Sequence, residues 1–260
     1  MQERHTNREI YFQEQTYTME KYIIPFISEA LTIDNSISVL EIGCGDGGNL
    51  KPFIDLGCRT VGIDMSIGKI ENAKNFLGNH EKKMNLKLIC KDIYEVDSDE
   101  KFDLVFSRDV LEHLHNQEEF MRVVKKFLKP SGKFFLGFPP WQNPFGGHQQ
   151  MCESKILSKV PYFHILPSIL YKYILKLFGE REAKINSLLK TKETGITIEK
   201  FEKILKKENY HIDKRVFYFI NPNYEIKFKL KPRIQSKLIS SIPYLRNFFI
   251  TTNYYLVSLE

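Results

Sequence analysis

The chain has 260 residues, 42% of them apolar and 13% aromatic, with 38 Lys and Arg against 32 Asp and Glu. That is enough apolar mass for one full α/β domain with additions. The net charge of +6 tolerates anionic substrates or a membrane surface but is too diffuse to argue for nucleic acid. Cys44, Cys58, Cys90 and Cys152 lie far apart without a C-x-x-C pair, which argues against a zinc site and a disulfide framework.

The N-terminal M-Q-E-R-H-T-N-R-E is charged and lacks the apolar core of a signal peptide. No uncharged run is long enough to span a bilayer, so a cytoplasmic protein is expected. Residues 1–37 form an N-terminal helical segment, in which Y-T-M-E-K-Y-I-I-P-F-I-S-E-A-L has helical spacing and puts Tyr22, Phe26 and Ile27 on one face. A strand over Ser38–Ile42 follows and runs into a glycine loop. A helix over Leu50–Leu56 comes next and is stopped by Gly57.

T-V-G-I-D reads as a second strand, with Ser66 placed to cap the helix I-G-K-I-E-N-A-K-N-F-L. L-K-L-I-C and F-D-L-V-F-S are the third and fourth strands. The helix E-E-F-M-R-V-V-K-K-F-L ends before Pro130, and G-K-F-F-L-G-F is the fifth strand. Strands alternating with helices predict a parallel sheet covered on both faces.

The rhythm then breaks at Pro139–Gly195, where a loop rich in Pro and Gly precedes apolar, aromatic helices. A helix, T-I-E-K-F-E-K-I-L-K-K-E-N, and a strand, K-R-V-F-Y-F-I, restore it. A second irregular insert, Asn221–Ile250, separates these from a last strand, N-Y-Y-L-V-S-L. The organisation expected is one domain, with a core at 38–138, a lid insert at 139–196, and a C-terminal part at 197–260 carrying the second insert.

The loop V-L-E-I-G-C-G-D-G-G-N-L satisfies two patterns at once. Gly43, Gly45 and Gly48 spell the G-x-G-x-x-G of dinucleotide-binding enzymes, and Glu41, Gly43, Gly45 and Gly47 spell E-x-G-x-G-x-G. Asp64, at the end of the second strand, suits ribose hydroxyls under either pattern. Glu41 breaks the tie, because an acid on the pocket floor suits a cationic amino group and repels a pyrophosphate. Asp92 in C-K-D-I, the run S-R-D-V-L-E-H-L and the turn L-K-P-S-G-K-F-F-L add to it.

Together these motifs resemble class I S-adenosylmethionine (SAM) methyltransferases, in the small-molecule branch that includes ubiquinone-type O-methyltransferases. The resemblance is close over Val39–Phe138 and loose over Thr197–Leu259. It implies a Rossmann-like seven-stranded sheet of order 3-2-1-4-5-7-6 with strand seven antiparallel. It also implies that Glu41, Gly43, Cys44, Gly45 and Gly47 cradle the methionine part. Asp64 would bind the ribose with Met65 beside the adenine, Asp92 and Ile93 would read the adenine edge, and Ser107 and Arg108 would offer backbone groups below the sulfonium.

F-P-P-W at Phe138–Trp141 is read as a stiff loop exit rather than an amide-methylase motif, since Phe138 cannot hold a target amine. His113 is read as a structural residue that fixes the loop below the cofactor. His148, on a Gly-Gly hinge past the fifth strand, is the candidate catalytic base, with a pKa near about 6.5. No metal-ligand cluster is visible, so no metal is expected.

The two inserts are expected to pack together as a lid, with Trp141, Phe145, Tyr162 and Tyr171 around the acceptor and Tyr17–Phe26 closing the rim. Lys172, Lys176, Arg233, Lys237 and Arg246, interleaved with apolar residues, also suit peripheral contact with a membrane surface. The predicted activity is methyl transfer from SAM to a small-molecule, glycan or lipid-like acceptor at oxygen, leaving S-adenosylhomocysteine (SAH), with no nucleic-acid partner. A non-catalytic SAM-binding protein and a nucleic-acid methylase are the alternatives; the latter needs a continuous basic groove, and the lysines are scattered.

Overall fold

A computed structural model describes residues 7–260; the start of the charged N-terminal stretch, residues 1–6, lies outside them. Five parallel strands come first: β1 (Ser38–Ile42), β2 (Arg59–Asp64), β3 (Leu86–Cys90), β4 (Phe102–Arg108) and β5 (Leu128–Phe138). They are joined by β6 (Tyr210–Ile220), β7 (Arg233–Ile234) and β8 (Thr252–Leu259) into one sheet of order β3-β2-β1-β4-β5-β8-β6-β7.

The expected order is present, with β8 in the place of the antiparallel strand seven: it pairs antiparallel with both β5 and β6. The seven-strand expectation is one strand short. The two-residue β7, from the second insert, adds to the outer edge of β6. Such a pair carries no periodicity to read from sequence.

Alternation along the central strands sends side chains to opposite faces. Leu40, Ile42, Val105, Phe134, Leu136, Tyr255 and Val257 bury one face under α5 (Gln117–Val124) and α8 (Ile198–Lys207). Val39, Leu104, Phe106, Phe135, Tyr254 and Leu256 bury the other under α3 (Lys51–Asp55), α4 (Ile67–Leu77) and the N-terminal segment.

That segment begins earlier than its spacing suggests. It runs as α1 (Arg8–Thr18), one π turn (Met19–Ile23) and α2 (Ile24–Ser28). Pro25 has no N–H to continue the ladder. Just before it, the Ile24 N–H reaches back five residues to the Met19 carbonyl, and the helix passes the proline without a break.

Two local expectations are corrected. Ser66 occupies the start of α4, but its side chain caps nothing; its backbone N–H donates to Asp64 instead. β5 begins at Leu128 rather than Gly132, because α5 closes at Val124 with only a single 3-10 turn after it.

The first insert holds a small core of its own, in which Tyr171 and Leu175 of α6 (Ser168–Leu177) meet Ile185 and Leu188 of α7 (Glu182–Thr194). Tyr171 is completely buried there against Phe163, so it walls no acceptor pocket. α7 is tied to the loop after β4, where the Thr194 hydroxyl donates to the Glu112 carbonyl (2.6 Å) and Gln117 donates to the Thr194 carbonyl (2.6 Å). The two inserts meet at Tyr162, whose hydroxyl donates to the Phe248 carbonyl (2.9 Å).

The F-P-P-W exit is a stiff turn, as read. The Trp141 N–H donates to the Ile196 carbonyl, and Asn143 donates to the Pro140 carbonyl (both 2.7 Å). His164 anchors it from the insert. Its Nε2 lies 2.9 Å from the Trp141 carbonyl and so carries the proton, while Nδ1 accepts from Gln149 (3.1 Å). Burial pushes its pKa down to about 4.

An unfolded histidine binds a proton near pH ~6.5, so His164 favours folding above that pH and the gain is lost as pH falls toward 4. At about pH 5 the loss from this residue is about 2 kcal/mol relative to pH 7. His164→Gln keeps a donor for Trp141 and removes the titration. Urea melts at the two pH values should show the acid loss in the native chain and a smaller one, by that amount, in the variant.

Candidate active site at the ends of the parallel strands

The glycine loop is held by its neighbours on the sheet. The Gly43 and Cys44 N–H groups both donate to the Ile63 carbonyl (2.8 and 3.0 Å), and the Gly45 N–H donates to Asp64 Oδ2 (2.9 Å). Gly43, Gly45 and Gly47 take φ of 79°, 54° and 84°, a region costly for residues with a Cβ.

Two glycines differ in what they face. A Cβ at Gly48 would lie 2.6 Å from the Phe12 carbonyl oxygen, so α1 packs directly on the loop there. A Cβ at Gly45 would meet nothing within 4 Å; this is the point at which the loop backbone faces open space. Cys44 turns its side chain into the core, where a Cβ on Gly62 would touch its sulfur at 2.9 Å. It can shape the loop by its backbone only.

Below the loop, Glu41 is wholly buried. Asn49 donates to its Oε1 (2.7 Å), and Arg108 donates to the Asn49 oxygen (3.2 Å). Glu41 Oε2 has no partner among the described residues. Burial pushes the Glu41 pKa well up, opposed by Asn49 and by the charge of Arg108. Burial disfavours the Arg108 charge too, but Asp109, Tyr254, Tyr11 and Glu41 outweigh it and the guanidinium stays charged. Asn49 and the Arg108 side chain were not anticipated; an amide just after a glycine run has no spacing that reveals a buried partner.

Asp64 is nearly buried and accepts from Gly45 on one oxygen and Ser66 (2.9 Å) on the other. Each oxygen keeps a lone pair for a further donor. Met65 beside it is 74% exposed, a large apolar side chain in water at the site's edge. Asp92 accepts from the Tyr94 N–H (3.1 Å), and Ile93 belongs to the core. Ser107 donates its hydroxyl to the Ile42 carbonyl (3.0 Å), tying β4 to β1.

Asp46 leaves the pocket. It pairs with Arg8 of α1 and accepts from Asn72 of α4 (3.1 Å). With Thr16 donating to the Gly48 carbonyl (2.9 Å), these contacts clamp the N-terminal helix over the loop.

His148 sits on left-handed backbone (φ 56°) after the hinge, where its ring meets His113 edge-on with centroids 5.0 Å apart. His113 is thus in ring contact with His148. Burial, with His113 and His164 nearby, pushes the His148 pKa down to about 4, below the value its sequence position suggested. Beneath them lies buried Glu112, whose Oε2 has no partner among the described residues and whose pKa burial and Asp109 push well up.

The ligand atoms of Glu112, His113 and His148 all lie within 4.8 Å of one another. The sequence shows no such cluster because His148 arrives from the insert. One carboxyl and two imidazoles can share a proton or suit a divalent ion.

Residues 13–151, just over half of the chain, match a family model described as a methyltransferase domain. Ubiquinone biosynthesis O-methyltransferase of Bradyrhizobium sp. (strain ORS 278) is 34% identical over 105 residues, which is 40% of this chain and 41% of that protein. The enzyme of the same name from Rhodopseudomonas palustris (strain BisB5) is 31% identical over the same shares. The chain therefore matches about two-fifths of the length of these curated relatives.

Among solved structures, the geranyl diphosphate C-methyltransferase of Streptomyces coelicolor A3(2), with Mg2+, geranyl diphosphate and SAH, superposes with a TM-score of 0.59. The identity is 12%, and the match covers 93% of this chain and 79% of that one. The magnesium protoporphyrin IX methyltransferase of Synechocystis PCC 6803, with SAH, gives 0.55 at 13% identity, over 95% and 84%. At these identities the likeness is one of fold.

The unpartnered Glu41 oxygen generates a test. A cation bound near it lowers its pKa, so binding SAM expels a proton wherever the pH lies between the free and bound values. Calorimetry in buffers of different ionisation enthalpy should show that release, and Glu41→Gln should abolish it.

Proposed function

Because this chain belongs to the methyltransferase-domain family, we propose that it moves the methyl group of SAM to a hydroxyl of a small-molecule, glycan or lipid-like acceptor. The observation that supports this most is the pairing of an open Gly45 with a buried acid, Glu41, that keeps one oxygen unpartnered. Glu41 and the Ser107–Arg108 backbone would hold the methionine part, with Gly43, Cys44 and Gly47 shaping the cradle. Asp64 would take the ribose hydroxyls, and Met65, Asp92 and Ile93 would border the adenine.

Transfer is an in-line displacement. The acceptor oxygen bonds to the methyl carbon, the C–S bond breaks, and its electron pair stays on sulfur. Most of the acceleration comes from holding oxygen, carbon and sulfur in line. His148 takes the hydroxyl proton; its depressed pKa keeps the imidazole neutral and ready at pH 7, at the cost of a weaker base. Glu112 and His113 beside it can share that proton.

A second reading is favoured by the 4.8 Å cluster: Glu112, His113 and His148 would hold a divalent cation, which would supply Lewis acidity toward the acceptor hydroxyl. Chelation separates the two. The base reading expects turnover unchanged by exhaustive chelator treatment, and the metal reading expects its loss and recovery on adding the ion back.

Asp64→Ala should weaken SAM binding by about 1.5–3 kcal/mol, since ribose hydroxyls lose a charged acceptor; unchanged affinity in calorimetry would remove Asp64 from the site. His148→Ala should lower turnover by about a hundred-fold or more with SAM affinity nearly intact. The pH–rate profile of the native enzyme should stay flat down to about pH 5, because His148 protonates only near about 4. An acid limb centred on the ordinary imidazole value would contradict the assignment.

A further inference from the structure

The second insert carries a long basic stretch without acids. From Ile226 to Leu259 there is no Asp or Glu, while Lys227, Lys229, Lys231, Arg233, Lys237 and Arg246 all fall within it. Large apolar side chains alternate with these cations and stand in water. Ile234 is 64% exposed, Leu238 77% and Tyr244 65%, and Phe228, Leu230, Ile242 and Leu245 are also exposed.

The segment is nevertheless fixed. Buried Gln235 donates from its backbone to Phe217 and from its side chain to the Phe249 carbonyl (2.8 and 2.7 Å). Arg246 is buried and committed to Glu199 and Glu202, so it is unavailable to a partner. Lys229, Lys231, Arg233 and Lys237 have no ion-pair partner among the described residues.

We propose that this face, Phe228 to Leu245, docks the protein on an anionic lipid surface. The charge is complementary, and the exposed Ile234, Leu238 and Tyr244 have the size and the neighbours of side chains that enter the headgroup boundary. An apolar set of this kind on a soluble surface marks an interaction site rather than chance exposure. No helix among the described residues is long and apolar enough to cross a membrane, so contact by this face would be peripheral.

The expected lysines of α6 are a weaker candidate. Lys172 and Lys176 lean toward Glu182 (3.9 and 3.5 Å), which offsets their charge. The second insert also lies against the site's cover. Glu225, at the start of this insert, accepts from Tyr17, Lys21 and Tyr22 of the N-terminal segment (2.8, 2.8 and 2.6 Å), the segment that clamps the glycine loop. Docking would therefore bring the mouth of the site near the lipid surface. The inference stands apart from the methyl-transfer reading, since it uses no site residue.

Flotation of the full chain with phosphatidylcholine vesicles, with and without phosphatidylglycerol, tests it. Anionic vesicles should bind at least about ten-fold better than neutral ones, and K229E/K231E/R233E should remove that preference. I234S/L238S should weaken binding that persists at high salt, where screening removes the charge contribution. Unchanged SAM affinity in both variants shows that they are folded.

Absence of binding to anionic vesicles, or binding indifferent to both sets of substitutions, would overturn the proposal. So would a solution dimer that I234S/L238S dissociates in a chain that does not bind vesicles, which would put a second copy on this face. Equally tight binding to RNA, unaffected by I234S/L238S, would make the patch a polyanion site instead.

Discussion

A buried carboxyl, whose pKa burial pushes well up, and a buried charged guanidinium sit beneath the glycine loop, and one amide mediates between them. Asn49 donates to Glu41 and accepts from Arg108, so the end of β1, the exit of the loop and the end of β4 are joined by two hydrogen bonds. A buried carboxyl and a buried guanidinium each lose hydration when removed from water. They are tolerated because the amide satisfies one side of each and because Asp109 stands beside Arg108 (3.5 Å). What remains unsatisfied, Glu41 Oε2, lies at the base of the proposed cofactor site. Removing Asn49 would leave the Glu41 carboxyl and the Arg108 guanidinium without their bridge.

The rest of the architecture is arranged around that point in layers. The neighbouring strand holds the loop through Ile63 and Asp64. The N-terminal helix holds it from the other side through Arg8 and Thr16. Glu225, held near a pKa of about 2 by hydrogen bonds from Lys21, Tyr22 and Tyr17, joins that helix to the second insert. The first insert reaches the site through Thr194 and Gln117, which hold the segment carrying Glu112 and His113. The glycine loop, the cluster of Glu112, His113 and His148, and the N-terminal cover are thus mechanically connected through named hydrogen bonds.

Much of the core was legible because its signals are local. Strand periodicity, the glycine loop and Asp64 at the end of β2 follow from patterns a few residues long, while the antiparallel last strand is implied by the family resemblance. The inserts were legible only as interruptions. Their helices carry apolar faces, but nothing local says that Tyr171 would be buried in a separate small core, or that Tyr162 would reach Phe248. The same limit explains the site. Glu41 was found because it precedes a glycine motif. Its dependence on Asn49 and the Arg108 side chain was missed, as was the meeting of His148 with Glu112 and His113, since each is a long-range encounter that the fold creates. The pKa of His148 departs from the ordinary imidazole value for that reason too: desolvation, with His113 and His164 nearby, pushes it down to about 4.

The central claim is that the loop above Glu41 holds an adenosyl amino acid and not a dinucleotide. Titration of the purified full chain with SAH and with NAD in a calorimeter tests it most directly. Saturable one-to-one binding of SAH, weakened in Asn49→Ala and accompanied by little or no heat from NAD, is the predicted result. Saturable binding of NAD with none of SAH would contradict it.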